Sequence, residues 1–391
     1  VQPVACFPDR CSVLNLTEIE QQALDAPINL SDGHARQLPT PAQSTLVARL
    51  PQWFAEVRDA PFEELERRAQ TAFLSALGQN RAPVATGQVL SVYSSSVATM
   101  AVGRLLQRRS GRVALIHPTF DSIADLLRGH VDLVPVAEQV LAEGDWERAV
   151  PADVTCLYLT VPNNPTGWRL DEAALTDLAR WSTERDVLLC VDTSFRGFDQ
   201  RTQYDMYRVL EAAGTDYILL EDTGKLWPML ELKLGFLAVS PRMERPIKKI
   251  MSEVLLSVSP LVLRLVEELS KDYAAGGMAQ LHDLIGTNRR VVAETVTDLD
   301  GVTLLDPDSR VSVCRLRLPS ADRSLSARRA LKERGVHVLP AGQFYWADPS
   351  GGTDQVRIAL ARDPHVLAEA LNRMSDVWAG QRQRQRMHVL D

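Results

Sequence analysis

Three short apolar runs, each ending in a polar signature, constrain this chain more than any other feature. Val154 to Thr160 leads into Pro162-Asn163-Asn164-Pro165-Thr166-Gly167, and Val187 to Val191 ends on Asp192. Tyr217-Ile218-Leu219-Leu220 leads into Glu221-Asp222-Thr223-Gly224-Lys225-Leu226-Trp227-Pro228. Runs this short and this apolar read as strands buried on both faces. A helical pattern over 171–184 separates the first two. Strand and helix in alternation predict an α/β fold with a mostly parallel sheet covered on both sides. Ligands of such sheets gather beyond the carboxyl ends of the strands. Asn164, Asp192 and Lys225 all fall there.

The rest of the chain extends this pattern. Strands are expected at 89–93, 112–117, 131–136 and 235–240. Helical periodicity covers 46–79, 97–107 and 121–128. A long helical pattern over 246–273, broken near Pro260, suits a connector to a second, smaller unit. That unit has strands at 311–316, 336–339 and 355–360 and helices at 324–334 and 364–378. The resulting division is a leader over 1–45, with a short helix at 16–24, a large domain over 46–275 and a small C-terminal α/β domain over 276–391. No internal repeat is visible.

Composition narrows the function classes. The chain has 391 residues, 45% hydrophobic and 24% charged, enough for two or three structural units with an ample core. A net charge of −7 argues against a nucleic-acid-binding surface, and the one basic run, 381–386, reads as a solvated terminus. No apolar run reaches the roughly 18 residues of a membrane span, and residues 1–10 lack the apolar core of a signal peptide. The five cysteines show no metal-ligand spacing. Cys156 and Cys190 lie in expected strands as small core residues, and nothing requires Cys6 and Cys11 to pair. A soluble cytoplasmic protein without a metal is expected.

The residues at the strand ends suggest a chemistry. A lysine desolvated at a strand end presents a free amine more readily and can form a Schiff base. Asn-Pro-Thr-Gly, then Asp, then Lys, each at a strand end, is the order a pyridoxal 5'-phosphate site requires. Lys225 then holds the cofactor, and Asp192 keeps the proton on its pyridine nitrogen. Ser94, Ser95 and Ser96 open a helix whose N–H groups and dipole favour the phosphate, with Lys233 as the cation. Phe120 is placed to stack on the ring, Asn164 to donate to its hydroxyl, and Arg357 to clamp a substrate α-carboxylate. Singly, each has a plainer role: Asp192 a helix cap, Lys233 a surface charge, Phe120 core, Asn164 a turn former, Arg357 an exposed strand residue. Their joint occurrence is what carries the reading.

Several stretches are more specific. They are Asp32-Gly33-His34-Ala35-Arg36-Gln37, Tyr93-Ser94-Ser95-Ser96-Val97, His117-Pro118-Thr119-Phe120-Asp121 and Ile123 to Gly129. Asp192-Thr193-Ser194-Phe195-Arg196-Gly197-Phe198-Asp199 and the segment from Glu221 to Pro228 complete the set. Across nearly its whole length the chain resembles fold-type I, aspartate aminotransferase-like enzymes. Within them it is similar to the L-arginine hydroxylases/oxidases of enduracididine biosynthesis, the MppP-like group. The resemblance implies oxygen-dependent oxidation of free L-arginine to 2-ketoarginine and 4-hydroxy-2-ketoarginine, with pyridoxal phosphate as cofactor, oxygen as co-substrate and no keto-acid acceptor. It also implies a homodimer. Thr17 and His34 match leader residues that this group brings over the site, with His34 as acid/base. Glu20, Asp32 and Asp222 match its carboxylates for the guanidinium.

Two departures from ordinary aminotransferases agree with this specialisation. Asp222 stands three residues before Lys225, where ordinary members carry a phosphate-binding serine. A carboxylate is repelled by a phosphate, so Asp222 is expected to face the substrate. Phe195 stands where ordinary members place a tyrosine for the ring hydroxyl, leaving Ser194 and Asn164 as donors. Both changes argue against ordinary transamination. Other outcomes remain open to the sequence: an oxygen-dependent arginine desaturase, an oxidase that stops at the ketone, a conventional aminotransferase, or a non-catalytic pyridoxal-binding regulator. The last usually carries an appended DNA-binding domain, for which the sequence gives no sign. Glu20 and Asp32 also fit a solvated arm.

Overall fold

A computed structural model describes residues 14–109, 111–229, 232–319 and 324–388, with side chains as far as Trp378. Cys6, Cys11, residues 1–10 and the side chains of the basic run 381–386 lie outside it. The chain enters as a short helix, Leu16–Gln21, and a two-residue strand β1, Ile28–Asn29.

The centre is a seven-stranded sheet built from β2 (Val89–Val92), β3 (Arg112–His117), β4 (Asp132–Ala137), β5 (Val154–Thr160), β6 (Leu188–Asp192), β7 (Tyr217–Asp222) and β8 (Gly235–Val239). Its order is β2-β8-β7-β6-β5-β3-β4, and only β8 runs antiparallel to its neighbours. Strands β6, β7 and β8 are buried at every residue, which is why their sequences run apolar without alternation until the polar ends of β6 and β7. The register pairs Thr160 with Asp192 and Asp192 with Leu220, so the polar strand ends lie side by side.

The C-terminal unit is a four-stranded sheet of β9 (Thr303–Leu304), β10 (Val313–Arg317), β12 (Leu339–Pro340) and β13 (Gln355–Ala359), in the order β12-β13-β10-β9. Strand β11, Val336–His337, pairs instead with β1. Leader residues therefore extend this unit as a strand rather than lying on it as a solvated arm. The Leu30 and Arg36 amides donate to His337 O and Ala361 O.

Several helices differ from the periodicity reading. The 46–79 pattern is three helices, Pro41–Ala48, Leu50–Arg58 and Phe62–Ala76; Pro61 lacks the N–H that would continue the second. The connector begins earlier than expected, at Pro241, runs to Val254 and resumes over Pro260–Asp272. Pro246 sits inside its first segment without ending it. A 19-residue helix, Ala279–Thr297, was not expected. Its buried Leu281, Ile285, Val292 and Val296 do carry helical spacing, diluted by polar residues between them. The last helix runs past Trp378 to His388. Among the described residues no helix is long and apolar enough to cross a membrane.

Candidate active site

A cavity of about 400 Å³ opens at the carboxyl ends of β5, β6 and β7. On its floor, Asp192 ends β6 almost wholly buried. Its Oδ1 accepts from the Ser194 amide at 2.9 Å and the Ser194 hydroxyl at 2.5 Å. Burial pushes this carboxyl up, against the pull of the two Ser194 donors, and nearby Asp222 pushes it further. A carboxylate so placed is stabilised by a cation at the cavity floor. The Ser194 hydroxyl is thus already committed to Asp192. Ser194 and Asn164 both line the cavity.

Lys225 follows β7, its Nζ 5.5 Å from the centre of the Phe195 ring. Close packing behind it holds the loop: the Gly197 backbone lies so near Leu226 that a Cβ there would sit 2.5 Å from a Leu226 methyl. At the other end of the cavity, Ser94 precedes the helix Ser95–Arg109, and its Oγ accepts from the Val97 amide at 3.3 Å. Asp222 lines the cavity beside this helix start. Its Oδ1 accepts from the Gly224 amide at 2.7 Å and its Oδ2 from the Ser95 amide at 3.4 Å. Unpaired N–H groups at a helix start attract a carboxylate within reach. The Lys233 side chain packs beside the same turn, against Gly224.

Arg357, on β13, is fully buried and reaches across from the C-terminal unit. Its guanidinium donates to Asn164 Oδ1 at 3.3 Å, to Ser31 O, and to Glu20 Oε1 at 3.3 Å, and it lies over the Phe344 ring. Glu20 therefore sits on the group expected to clamp a substrate carboxylate. Burial pushes the Glu20 carboxyl up, opposed chiefly by Arg357 and then Lys225.

Asp32 is the one predicted site residue that does not line the cavity. Only 1% exposed, it accepts from Asn29 Nδ2, the His34 amide, Arg36 Nε and Arg362 Nη2 at 2.8–3.0 Å. Burial alone would raise its carboxyl, but His34, Arg362 and Arg36 outweigh that and hold it well below the usual carboxylate range. Each of its oxygens meets an arginine of its own chain, Oδ2 Arg36 and Oδ1 Arg362. Its geometry fixes His34, whose Nδ1 is 3.6 Å from Asp32 Oδ1 and whose carbonyl accepts from Arg362 Nη1.

Thr17, Glu20, His34, Ser94, Ser95, Ser96, Phe120, Asn164, Asp192, Ser194, Asp222, Lys225, Lys233 and Arg357 all line the cavity. Sequence reasoning missed the scaffold around them. Arg362 holds three leader carbonyls, those of Asn29, Asp32 and His34. Glu138 accepts from Asn163 Nδ2 and Thr166 Oγ1, each at 2.6 Å, beneath the Asn164 loop. Arg362 follows Arg357 by five residues and had no motif to mark it; Glu138 lies in a stretch that read as featureless.

The cavity fits pyridoxal phosphate. An amine stands at one strand end and a buried carboxylate raised by burial at the next. Unpaired helical N–H groups lie beyond them, already drawing a carboxylate as a stand-in anion. Among the described residues no group of three or more His, Cys, Asp or Glu is placed to hold a metal.

Comparison with known proteins points the same way. A family model, aminotransferase class I and II, matches residues 54–374. Curated relatives include the histidinol-phosphate aminotransferase of Chlorobium limicola, 24% identical over 66% of this chain and 70% of that protein. The aspartate/prephenate aminotransferase of Thermus thermophilus is 21% identical over 90% of this chain and 88% of its own. Among solved structures, MppP soaked with the product 2-ketoarginine superposes with a TM-score of 0.87 at 44% identity, covering 90% of this chain and 99% of that one. The Thermus thermophilus aspartate aminotransferase with maleate superposes with a TM-score of 0.74 at 20% identity, over 93% and 94% of the two chains, and shares the fold.

Proposed function

The chain belongs to the class I and II aminotransferase family, and from that premise we propose that it uses pyridoxal 5'-phosphate and molecular oxygen to oxidise free L-arginine to 4-hydroxy-2-ketoarginine and 2-ketoarginine. The observation that carries the reading is the likeness to MppP over 90% of the chain, with 2-ketoarginine as that protein's product. A guanidino keto acid needs one cation for its carboxylate and one anion for its guanidinium, and the cavity offers Arg357 and Glu20 in contact.

When bound, pyridoxal phosphate supplies an electron sink conjugated to the substrate nitrogen. The chain's residues supply the rest. Lys225 would hold the cofactor through its amine and would take the proton from substrate Cα. Asp192 keeps a proton on the ring nitrogen, and Ser194 fixes Asp192 in place. Asn164, oriented by Arg357, keeps its Nδ2 for the ring hydroxyl. Ser94 to Ser96 and Lys233 would hold the phosphate. The substrate carboxylate displaces Glu20 from Arg357, and Glu20 turns to the guanidinium. His34, braced by Asp32, moves protons on the side-chain half of the substrate, with Thr17 beside it on the leader. For the plain ketone, oxygen takes two electrons and two protons and leaves as hydrogen peroxide, and water supplies the keto oxygen as ammonia leaves; for the hydroxylated product a second oxygen takes two more electrons and two protons, and a second water supplies the hydroxyl. A leader seated over the site keeps water and oxygen ordered.

Mass spectrometry of products from purified protein and L-arginine tests the reading. A product mass showing only the plain ketone removes hydroxylation from it; a requirement for a keto-acid acceptor returns the chain to ordinary transamination. We also place the protein in the cytoplasm, in keeping with buried unpaired thiols at Cys156, Cys190 and Cys314. We assign it a homodimer, in keeping with Phe54 at 68% exposure and Leu256 fully exposed. Light scattering that shows monomer alone at micromolar concentration contradicts the dimer.

A further inference from the structure

The helix Leu16–Gln21 carries Thr17 and Glu20 into the cavity, so its docking decides whether the site is covered. The helix has only six residues, and one this short is not stable alone in water. Asn15 and Glu18 cap it reciprocally. Leu16 and Ile19 pack on Leu339, Ala341 and Phe344 of the C-terminal unit, and on Phe120. Among the described residues, a polar contact ties the helix to the large unit. The Leu16 amide donates to Asp121 Oδ2 at 2.8 Å, between residues 105 apart in sequence. Asp121 opens the helix Asp121–Arg128 beside Phe120 and is 5% exposed; its Oδ1 is buried without a partner.

We propose that Asp121 is a positioning residue for the reaction, the latch that fastens the leader helix to the wall of the site and so aims Thr17 and Glu20 at the substrate. The proposal rests on the reading of the leader as the cover of the site, and adds the residue that holds it shut. Leu16 N–H is one of the helix's donors without an intrahelical acceptor, and no water need intervene.

The latch has a preferred protonation state. An ionised Asp121 would keep one oxygen buried and unpaired, which is costly. The charged groups around it add to that cost: Asp125 on its own helix and Glu20 on the leader are both acidic. Arg128 is turned to Asp125 and to Trp346 O, and the turn Gly342–Phe344 brings no ionisable side chain. Burial, opposed by the Leu16 and Ser122 amides and reinforced by Asp125 and Glu20, pushes the carboxyl up to about 7. Docking therefore takes up a proton. The neutral acid still accepts from Leu16 through its carbonyl oxygen. As pH rises from the range of a solvated carboxylate towards 7, the docked state loses ground; above 7 the dependence flattens.

Hydrogen exchange of the Leu16–Gln21 amides, followed by mass spectrometry on the cofactor-loaded protein without substrate, tests this at pH 5.5 and pH 7 after correction for intrinsic rates. In the wild type, opening of the leader should rise with pH by up to about tenfold per unit. Asp121→Asn keeps an acceptor but cannot ionise, so its protection should depend less on pH than the wild type's, what remains coming from Glu20 on the same helix, whose carboxyl burial also pushes up. Asp121→Leu, which offers no acceptor, should exchange fast at both. Amides of β5 to β7 serve as the control for folding and should not change. Wild-type protection that ignores pH, or an Asp121→Leu leader as protected as the wild type, overturns the latch. If Asp121→Leu fails to fold, the comparison of wild type with Asp121→Asn decides alone. No turnover enters the measurement, so its failure is distinct from failure of the assigned reaction.

Discussion

Replacing Glu20 by Gln separates the two halves of substrate recognition. In the ligand-free site Glu20 Oε1 lies 3.3 Å from Arg357 Nη2, with the arginine fully buried. Two unit charges at that separation attract by about 5 kcal/mol at an effective dielectric of about 20, and desolvation of the pair offsets much of this. A net of about 2 kcal/mol, or roughly 30-fold in affinity, is a reasonable scale for losing one partner of a desolvated pair. Glu20→Gln removes the competitor for Arg357, so any substrate carboxylate gains. It also removes the anion for the guanidinium, so only arginine loses. Titrating the visible spectrum of the cofactor with L-arginine and with L-norvaline, which lacks the guanidinium, reads both effects. The expected result is arginine weakened by roughly 30-fold while norvaline holds its affinity or tightens. Equal weakening of both ligands would refute the exchange, because it would mean that Glu20 supports the site only through its fold.

Two further outcomes follow from the geometry of the site. Asp222→Ser removes an acceptor from the Ser95 and Gly224 amides, so cofactor retention on dialysis should change while arginine affinity stays within about 0.5 kcal/mol; the reverse pattern returns Asp222 to the substrate side. His34→Ala should still consume oxygen but shift product towards plain 2-ketoarginine, read by mass spectrometry, and a complete loss of oxygen uptake would place His34 at an earlier step.

The large sheet was legible because its strands are buried on both faces and close on polar signatures. Continuous apolar runs such as Tyr217 to Leu220 have no other good reading, and their ends marked Asn164, Asp192 and Lys225 directly. The leader was legible only through resemblance. β1 has two residues, and its seat depends on β11 and on Arg362, 333 residues beyond its partner Asn29. No local pattern reports a contact that distant. For Asp32, Asp222 and Ser194 residue type gave the charge or the donor, but not which neighbouring amides, carboxylates and arginines it meets. Phe195 and Gly197 show the opposite case, where the sequence displayed the residue and only packing revealed its task under Lys225 and Leu226.

Oxygen uptake by the purified, pyridoxal-phosphate-loaded protein given L-arginine and no keto acid separates oxidation from transamination. Consumption of oxygen with release of ammonia and peroxide, dependent on Lys225, is the expected result. No oxygen uptake, with turnover appearing only when a keto-acid acceptor is added, would make the protein an ordinary aminotransferase.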